Sequence, residues 1–407
     1  MKTKKLPLLN DPIYGFIGIG SSLVFDLLSH PYFQRLRRIS QMGLSSLVYP
    51  GARHSRFEHA LGAMHLMDKT VTTLRAKGVS ISQEEHQGLS CAMLLHDIGH
   101  GPFSHAIENG IFQGVSHEEI SLGIMHQLNK EMHGALDLAI AIFTHQYPRA
   151  FMCQLVAGQL DLDRLDYLKR DAFYTGAAEG NINVHRLIAM LNVADDTLVV
   201  EEKGVFSVEK FLMARRFMYW QVYLHKTSLG AELMLNRLMV YVRQLLLKGV
   251  AVEMPSALSF FLSRENLSPQ DPEALEQFVR LDDSDIFAAL KQWTHHDDFL
   301  LADVAQRLLN RNLLKVIFQP TAFSNRQMDE EKNHLREMGY SSTAAELFVF
   351  SDRVITIPYN TKKSPINILK KNGAIVPFDQ FSGIFKKGHW TEEETKFYLT
   401  SLKGKSS

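Results

Sequence analysis

Residues 94–105, LLHDIGHGPFSH, place three histidines and an aspartate directly after an apolar segment. This composition is costly for a segment that faces the protein core, and a bound metal ion is the simplest compensation. If the segment is helical, His96 and His100 lie one turn apart on the same face, with Asp97 beside His96. The glycines and the proline that follow then end the helix and leave room for a substrate. The stretch therefore predicts part of a metal site, whose remaining ligands must come from elsewhere in the chain.

Length and composition limit the possible functions. A chain of 407 residues can bury a large core and is expected to carry two or more structural units. Lysine plus arginine and aspartate plus glutamate both total 44, so no global field favours nucleic acid or an anionic membrane. Cys91 and Cys153 lie in apolar surroundings, which argues against a disulfide framework and a zinc-thiolate site. We expect a soluble protein of the reducing cytoplasm, since no long apolar run follows residues 1–10.

A second histidine segment, residues 53–62, reads RHSRFEHALG. On a helix, Arg56, His59 and Gly62 form one stripe, so that a guanidinium, an imidazole and a small residue face the same way. Metal and phosphate chemistry could meet on this face. His54 and His65 are interpreted as ordinary hydrogen-bonded histidines.

A third segment, residues 159–171, reads QLDLDRLDYLKRD. At helical spacing Asp163, Tyr167 and Arg170 share one face, and Asp166 and Asp171 flank it. So many charges could also form a salt-bridged surface helix. Apolar residues precede and follow the segment, however, so only part of it can face solvent.

Two other stretches leave alternatives open. Residues 32–43 predict a helix with a basic edge that ends at a glycine, and a solvated face is the favoured interpretation of its three arginines, Arg35, Arg37 and Arg38. Ser116 is expected to cap a helix that begins at His117. That histidine is either a local hydrogen-bonding residue or, if it folds back over the metal, a catalytic one.

The second half of the chain is predicted from its turn and helix signals. Residues 197–208 predict a hairpin whose turn spans 201–204, and a long helix follows over about 208–248. Arg215 and Lys226 lie near one aromatic-lined face of that helix, which suits a polyphosphate, although side chains snorkelling from a core helix explain them equally well. Residues 254–272 indicate a boundary region. Strands are expected over 347–358 and 365–377, the latter with a type I′ hairpin signal at Asn372-Gly373.

Together these motifs resemble the HD-domain phosphohydrolases, and within them the deoxynucleotide triphosphohydrolase branch that contains the dGTPases and the SAM-and-HD-domain dNTP hydrolase. The resemblance covers about residues 11–226 and rests on FQRLR at 33–37, RFEH at 56–59, HDIGHGPFSH at 96–105, DRLDY at 163–167, RD at 170–171 and YLHK at 223–226. It implies a mostly α fold: an HD-domain helical core with an inserted β-hairpin over residues 1–250, and a smaller helical plus β region over 251–407. It also implies a homo-oligomer, to which the C-terminal region could contribute.

The resemblance also implies roles for individual residues. The metal ligands would be His59, His96, Asp97 and Asp163. The attacked phosphate would be surrounded by His100, His105 and His117, with Glu108 as the acidic partner of His105. The triphosphate contacts would be Arg56, Arg164, Arg215 and Lys226. The 3′-hydroxyl contacts would be Gln41, Tyr167 and Asp171, with Tyr223 as a ring that packs on the sugar and disfavours a 2′-hydroxyl.

The function expected from this site is metal-dependent hydrolysis of a dNTP to deoxynucleoside and triphosphate by attack at the α-phosphate. Two imidazoles and two carboxylates suit Mn, Fe, Ni, Zn or Mg, and ligand softness alone does not decide among them. One alternative is an HD phosphatase or phosphodiesterase that acts on nucleoside monophosphates, cyclic dinucleotides or alarmones. Another is a nucleotide-sensing module with vestigial chemistry. Neither a membrane nor extended nucleic-acid binding is expected.

Overall fold

The computed structural model describes residues 7–103, 107, 114–361, 365–385 and 393–403, and within them helices dominate. Three small sheets accompany the helices, so the predicted mostly α fold with small β elements is confirmed. Within the described part of the chain, every helix is too short or too polar to cross a lipid bilayer.

The first part of the chain forms the helices that carry the histidine motifs. In chain order the elements are β1 (Leu8–Asp11), β2 (Gly15–Gly18), α1 (Ser22–Ser29), α2 (Pro31–Gln34), α3 (Arg56–Ala76), α4 (Gln83–Leu95), α5 (His117–Glu131), α6 (Asp137–Phe143), α7 (Ala150–Val156) and α8 (Leu162–Thr175). Their first residues follow the expected capping chemistry. Ser116 caps α5, as predicted, and forms a capping box with Glu119, while the Asp161 side chain accepts from the backbone N–H of Arg164 at α8.

The helix predicted over residues 32–43 is much shorter than expected. After α2 the chain makes one 3₁₀ turn, Arg35–Arg38, and then runs extended so that Ser40 pairs with Ser55. Arg37 and Arg38 are exposed, but a solvated position is wrong for Arg35, which is fully buried. Its guanidinium donates to three carbonyl oxygens, those of Leu281 at 2.8 Å, Ile98 at 3.3 Å and His100 at 2.8 Å. Three acceptors satisfy the charged group, which explains why it tolerates burial.

The predicted hairpin exists, but its position along the chain is wrong. After α9 (Val184–Met190), strands β3 (Leu191–Ala194) and β4 (Thr197–Glu201) pair around Asp195 and Asp196. These two residues have φ values of 49° and 55°, the left-handed conformation that a two-residue type I′ turn requires and that aspartate tolerates. Residues 202–204, expected to be the turn, form a 3₁₀ segment that leads into the next helix.

The single long helix predicted over residues 208–248 is two helices. α10 (Val205–Met218) ends in a wider π-helical turn, Tyr219–Tyr223, and α11 (Lys226–Leu247) begins after His225. His225 has an extended backbone, and its Nδ1 accepts from the backbone N–H of Thr227 at 3.2 Å. Arg215 and Lys226 therefore lie on different helices and do not share one continuous face.

The C-terminal part packs back onto the first part. It contains α12 (Ser256–Leu262), α13 (Pro272–Phe278), α14 (Asp283–Trp293), α15 (Phe299–Leu309), β5 (Lys315–Gln319), α16 (Asn325–Glu337), α17 (Ser342–Phe348), β6 (Ser351–Thr356), β7 (Asn367–Leu369), β8 (Ile375–Pro377), α18 (Phe378–Phe381) and β9 (Glu394–Ser401). The three-stranded sheet has the order β5-β9-β6, and in the four-stranded sheet, β3-β4-β7-β8, β7 pairs in parallel with β4. The strand expected to begin at Leu347 begins only at Ser351, because α17 continues to Phe348.

The hairpin predicted at Asn372-Gly373 is confirmed, with β7 and β8 antiparallel. Its loop is not the predicted type I′ turn, since Gly373 has a positive φ and Asn372 does not. Buried apolar side chains on both sides of residue 250 belong to one cluster. The division into units 1–250 and 251–407 stays a prediction.

Candidate metal and phosphate site

The central histidine segment departs from the helix that its spacing predicted. α4 ends at Leu95, and residues 96–99 form a turn, so His96 and His100 do not share a helical face. They converge around Asp97 instead, whose Oδ1 lies 3.4 Å from Nε2 of His96 and 3.3 Å from Nε2 of His100. The turn packs tightly on α5, because a Cβ at Gly99 would collide with the backbone at its start.

Four side chains from three segments bring ligand atoms together. Nε2 of His59, on α3, lies 3.1 Å from Oδ1 of Asp163, on α8, and 3.6 Å from Oδ2 of Asp97. Nε2 of His96 lies 3.5 Å from the same Asp163 oxygen. Ligand atoms that each bind one ion at about 2.1 Å are separated by roughly 3–3.5 Å. His59, His96 and Asp163 could therefore hold a metal ion, and Asp97 is placed to join them.

The buried ring nitrogens support this fit. Nε2 of His59 and Nε2 of His96 are buried and have no hydrogen-bond partner among the described residues. Their other ring nitrogens are occupied, since Nδ1 of His59 donates to Oδ2 of Asp166 at 2.8 Å and Nδ1 of His96 donates to the carbonyl of Met93 at 2.7 Å. Such bonds fix the tautomer that leaves Nε2 free to bind a metal.

A buried ionic network supports His59 from behind. The Asp166 carboxylate that holds His59 also accepts from Nε of Arg170 at 2.9 Å. Nη1 of Arg170 donates in turn to Oδ2 of Asp11 at 2.8 Å. A Cβ at Gly62 would collide with Asp166 and Arg170, so this glycine permits the close approach of α3 and α8. Arg170 therefore points into the network and not toward substrate.

The electrostatics of the pocket favour a cation. Burial alone would lower the pKa of His59, but the carboxylates of Asp163, Asp166 and Asp97 raise it to about 10. Burial raises the pKa of Asp97 and Asp163, yet the neighbouring histidines hold both well below their usual values. A pocket that stabilises a proton on a buried imidazole also stabilises a metal ion in its place, since the same negative charges attract both.

The first prediction concerns Asp166, whose carboxylate accepts a hydrogen bond from Nδ1 of His59. Asp166→Asn is expected to lower the affinity for a divalent metal by about 10–100-fold, because the amide cannot supply the charge that raises the basicity of His59. Titration of metal-free protein with Mn²⁺ measures the affinity. Asp68→Asn is the matched control, since Asp68 bonds His86 at 2.9 Å outside this site. Equal affinity of both variants and wild type would contradict the supporting role of Asp166.

Two further histidines lie beside the ligands. The rings of His100 and His117 stack with centroids 4.0 Å apart, and both approach Asp97 closely enough to form a second group that could hold a metal. Burial, reinforced by the charge of Arg56, lowers the pKa of His100 well below its usual value. A neutral His100 can donate or accept a hydrogen bond near a phosphate. His105 and Glu108 lie outside the described residues.

Three of the four predicted sugar contacts, Asp171, Tyr223 and Tyr167, form one cluster. The Asp171 carboxylate accepts from Tyr223 Oη at 2.7 Å and pairs with His54 Nε2 at 2.8 Å, so His54 is a hydrogen-bonded histidine as interpreted. The Tyr223 and Tyr167 rings meet edge to face with centroids 6.1 Å apart. Oε1 of Gln41 is buried and has no partner among the described residues, which leaves an acceptor for a ligand hydroxyl.

The four predicted phosphate contacts differ in their partners and in their exposure to solvent. Nη1 of Arg56 donates to Oδ2 of Asp97 at 2.7 Å, at the metal pocket. Arg164 forms an ion pair with Asp161, and Nη1 of Arg215 reaches Oε1 of Gln159 at 3.4 Å. Nε of Arg56 and Nε of Arg164 are buried without a partner among the described residues. Lys226 is exposed in the first turn of α11.

Residues far away in sequence also support the site. Arg35 donates to the carbonyl of His100, and Oδ2 of Asp283, the first residue of α14, accepts from the backbone N–H of Ser40, beside Gln41. Burial raises the pKa of Asp283 to about 6. Sequence reasoning missed Arg35, Asp11 and Asp283 as supports, because no local pattern indicates contacts across 60 to 250 residues.

Known proteins share both the motifs and the fold. The HD domain matches residues 56–171, and the HD-associated region matches residues 182–249. An uncharacterized protein of Bacillus subtilis, YwfO, is 30% identical over 94% of this chain and 89% of its own length. A Dictyostelium discoideum deoxynucleoside triphosphate triphosphohydrolase, a SAMHD1 homolog, is 30% identical over 66% of this chain and 56% of its own. A phosphohydrolase structure from Bacteroides thetaiotaomicron is 45% identical, covers 98% of this chain and all of its own, and has a TM-score of 0.94.

Proposed function

Because this chain belongs to the HD-domain family of metal-dependent phosphohydrolases, we propose that its substrate is a dNTP, which it hydrolyses to deoxynucleoside and triphosphate. One observation carries the proposal. Five buried polar atoms of the predicted site residues lack a partner among the described residues: Oε1 of Gln41, Nε of Arg56, Nε2 of His59, Nε2 of His96 and Nε of Arg164. Buried polar atoms are normally satisfied, so atoms without partners on five predicted site residues are compatible with a ligand that completes the bonding.

The orphaned atoms match the parts of a nucleotide. The two imidazole nitrogens suit a divalent ion, the two guanidinium N–H groups suit phosphate oxygens, and the amide oxygen of Gln41 suits a sugar hydroxyl. A nucleoside monophosphate has a single phosphate group and would leave some of the predicted guanidinium contacts without a partner. The Dictyostelium relative named as a dNTP triphosphohydrolase supports the same substrate class.

The chain's own residues then suit hydrolysis at the α-phosphate. A divalent ion held by His59, His96, Asp97 and Asp163 would polarise a phosphate oxygen and make a bound water more acidic. Neutral His100, stacked on His117, is placed to form a hydrogen bond with the attacked phosphate or the bound water beside that centre. Arg56 already lies 2.7 Å from Asp97 and would neutralise charge on the attacked phosphate.

In this proposal, the cluster of Asp171, Tyr223 and Tyr167 accounts for the preference for a deoxyribose. The Tyr223 hydroxyl is held by Asp171, so its ring is fixed in orientation and packs beside Tyr167. A fixed ring against the sugar leaves little space for a 2′-hydroxyl. Binding to Gln41 and Asp171 at the other side of the sugar would select a free 3′-hydroxyl.

The second prediction separates this substrate from shorter ones. Arg215→Ala is expected to raise the KM for dNTP by about 10–100-fold while leaving a nucleoside monophosphate almost unaffected, since a charged hydrogen bond to phosphate contributes about 1.5–3 kcal/mol. Lys226→Ala, at the exposed start of α11, is expected to give a smaller increase. Steady-state kinetics with both substrates measure the effect. Lys210→Ala, exposed on the same helix as Arg215, is the control.

Unchanged KM values for dNTP would contradict this prediction. If Arg215→Ala and Lys226→Ala both leave the dNTP KM unchanged, the substrate belongs to the shorter class of nucleoside monophosphates, cyclic dinucleotides or alarmones. Tight nucleotide binding without turnover under any divalent metal would instead indicate a sensing module.

The two cysteines bear on the proposed cellular location of the enzyme. Cys91 and Cys153 are both free and buried, which is compatible with a reducing cytoplasm. Burial raises the pKa of Cys91 to about 12, so this thiol is unreactive near neutral pH. We propose a homo-oligomer by likeness to the family, with residues 251–407 as a separate unit that contributes to assembly.

A further inference from the structure

His54 connects two parts of the predicted sugar site. It lies on the segment that precedes α3, and its side chain is fully buried. Its imidazole contacts the carboxylate of Asp171, and its backbone carbonyl contacts the backbone of Gln41. Both of these residues are predicted to contact the 3′-hydroxyl of a nucleotide. A single residue can therefore set the positions of two groups that would bind the same hydroxyl.

The backbone of His54 pairs with the segment that carries Gln41. The carbonyl of His54 accepts from the backbone N–H of Gln41 at 3.0 Å. A second bond of the same short antiparallel ladder joins the backbone N–H of Arg56 to the carbonyl of Ile39 at 2.9 Å. The ladder fixes the position of Gln41 relative to Arg56, whose guanidinium contacts Asp97 at the metal pocket. The predicted sugar and phosphate contacts are thereby joined through the main chain.

The side chain of His54 binds one oxygen of the Asp171 carboxylate. Nε2 of His54 lies 2.8 Å from Oδ1 of Asp171, and the hydroxyl of Tyr223 donates to Oδ2 at 2.7 Å. Nε2 must carry the hydrogen of its bond, because an ionised carboxylate only accepts. Burial and the charge of Asp171 raise the pKa of Tyr223 well above its usual value, so its hydroxyl keeps its proton. Two donors from opposite sides therefore hold the carboxylate in one orientation.

The imidazole of His54 is itself held by stacking. It lies against the ring of Tyr174, with ring centroids 4.4 Å apart and planes inclined by 16°. The end of α8 that carries Tyr174 packs closely on Gly51, where a Cβ would lie 2.6 Å from the Tyr174 carbonyl oxygen. The ring of His54 is therefore fixed between Tyr174 on its face and Asp171 at its edge.

This arrangement favours a ligand that supplies a hydrogen. An ionised carboxylate has about four acceptor positions, and His54 and Tyr223 occupy two of those on Asp171. The remaining positions can only accept, and the buried Oε1 of Gln41, which has no partner among the described residues, is an acceptor too. A sugar 3′-hydroxyl can donate to such an acceptor, whereas a 3′-deoxy sugar leaves it unpaired. A site with buried polar groups strongly rejects a ligand that lacks the matching group.

We propose that His54 is a positioning residue for recognition of the 3′-hydroxyl. Its side chain sets the orientation of Asp171, and its backbone carbonyl sets the position of Gln41. The proposal rests on the proposed function, because it requires a ligand with a deoxyribose. It adds the residue on which selection of a free 3′-hydroxyl depends, although His54 itself does not need to touch the ligand.

The test compares nucleosides that differ only in the 3′-hydroxyl. Calorimetry on the full chain loaded with Mn²⁺ measures the affinity for each 2′-deoxynucleoside and for its 2′,3′-dideoxy counterpart. Wild type is expected to bind at least one deoxynucleoside about 10-fold or more tightly than its counterpart, since a hydrogen bond to a charged group is lost in the latter. His54→Phe keeps an aromatic ring beside Tyr174 but removes the donor, and is expected to lower this preference by about 5-fold or more. His54→Gln, whose amide N–H can replace Nε2, is expected to restore it.

The matched control is His86→Phe, which removes another histidine that bonds an aspartate, Asp68, at 2.9 Å. This variant is expected to keep the wild-type preference. If His54→Phe does not fold, His54→Asn takes its place, because the shorter amide cannot reach Asp171.

Two outcomes would overturn the role of His54. One is wild-type protein that binds no deoxynucleoside more tightly than its dideoxy counterpart. The other is an unchanged preference in the variant that lacks the donor when its Tm equals that of wild type. The probes carry no phosphate, and their binding requires no turnover. If the preference depends on His54 while wild type releases no triphosphate from any dNTP, the dNTP function fails and the role of His54 stands.

Discussion

The double variant His96→Ala/Asp97→Ala is expected to lose its divalent metal and its hydrolase activity together. Two of the four converging ligand donors disappear, and the two that remain, His59 and Asp163, cannot hold an ion tightly. Loss of several kcal/mol of charge stabilisation in the transition state corresponds to a fall in kcat of about 10³-fold or more. Elemental analysis of the purified protein and a product assay measure the two effects.

A matched pair elsewhere in the molecule provides the control. His86→Ala/Asp68→Ala removes another histidine and aspartate in contact, at 2.9 Å, without touching the proposed ligands. This control is expected to keep its metal content and most of its activity. Full metal content and activity in His96→Ala/Asp97→Ala would show that the metal site lies elsewhere.

Arg170→Met is expected to destabilise the fold by about 3–5 kcal/mol. Its guanidinium is fully buried between Asp166 and Asp11, and removing it leaves both carboxylates buried without their cation. Breaking a buried charge pair on one side is strongly destabilising, because the remaining charge has lost its hydration and its partner. Urea denaturation followed by circular dichroism measures the free energy of unfolding.

The control for this variant is an ion pair with the same i, i+4 spacing that is exposed to solvent. Arg326 and Glu330 form an i, i+4 pair on α16 at 2.8 Å, with the arginine side chain 88% exposed. Arg326→Met is expected to change the stability by less than about 1 kcal/mol. A similarly small change for Arg170→Met would contradict the account of a buried network that holds Asp166 and His59 in place.

The family resemblance predicted the residues that converge more successfully than local patterns predicted the elements that carry them. His59, His96, Asp97 and Asp163 lie together as the resemblance implies, and their role as ligands is the proposal. The helical spacing that was thought to bring His96 and His100 together was wrong, because the glycine-rich segment forms a turn. The side chains converge despite this error, since a tight turn can also direct neighbouring side chains into one cavity.

The other errors arose from competing local signals or from contacts between distant segments. The hairpin was misplaced because Glu201 to Gly204 contains a glycine, whereas Asp195-Asp196 forms the actual turn without one. The break near His225 has no proline or glycine nearby to signal it. It follows the π-helical turn Tyr219–Tyr223, which the sequence did not indicate. Arg35 was assigned to the surface because its three carbonyl partners come from distant segments.

The most direct test of the proposed function is a product assay with metal-stripped protein, to which Mn, Fe, Ni, Mg and Zn are supplied separately. The substrates are dNTPs, NTPs, dNMPs and cyclic dinucleotides. We predict that triphosphate and deoxynucleoside appear only from dNTPs and only with added metal. Inorganic phosphate released from monophosphates, or a linear product from cyclic dinucleotides, with dNTPs left intact, would contradict the proposal.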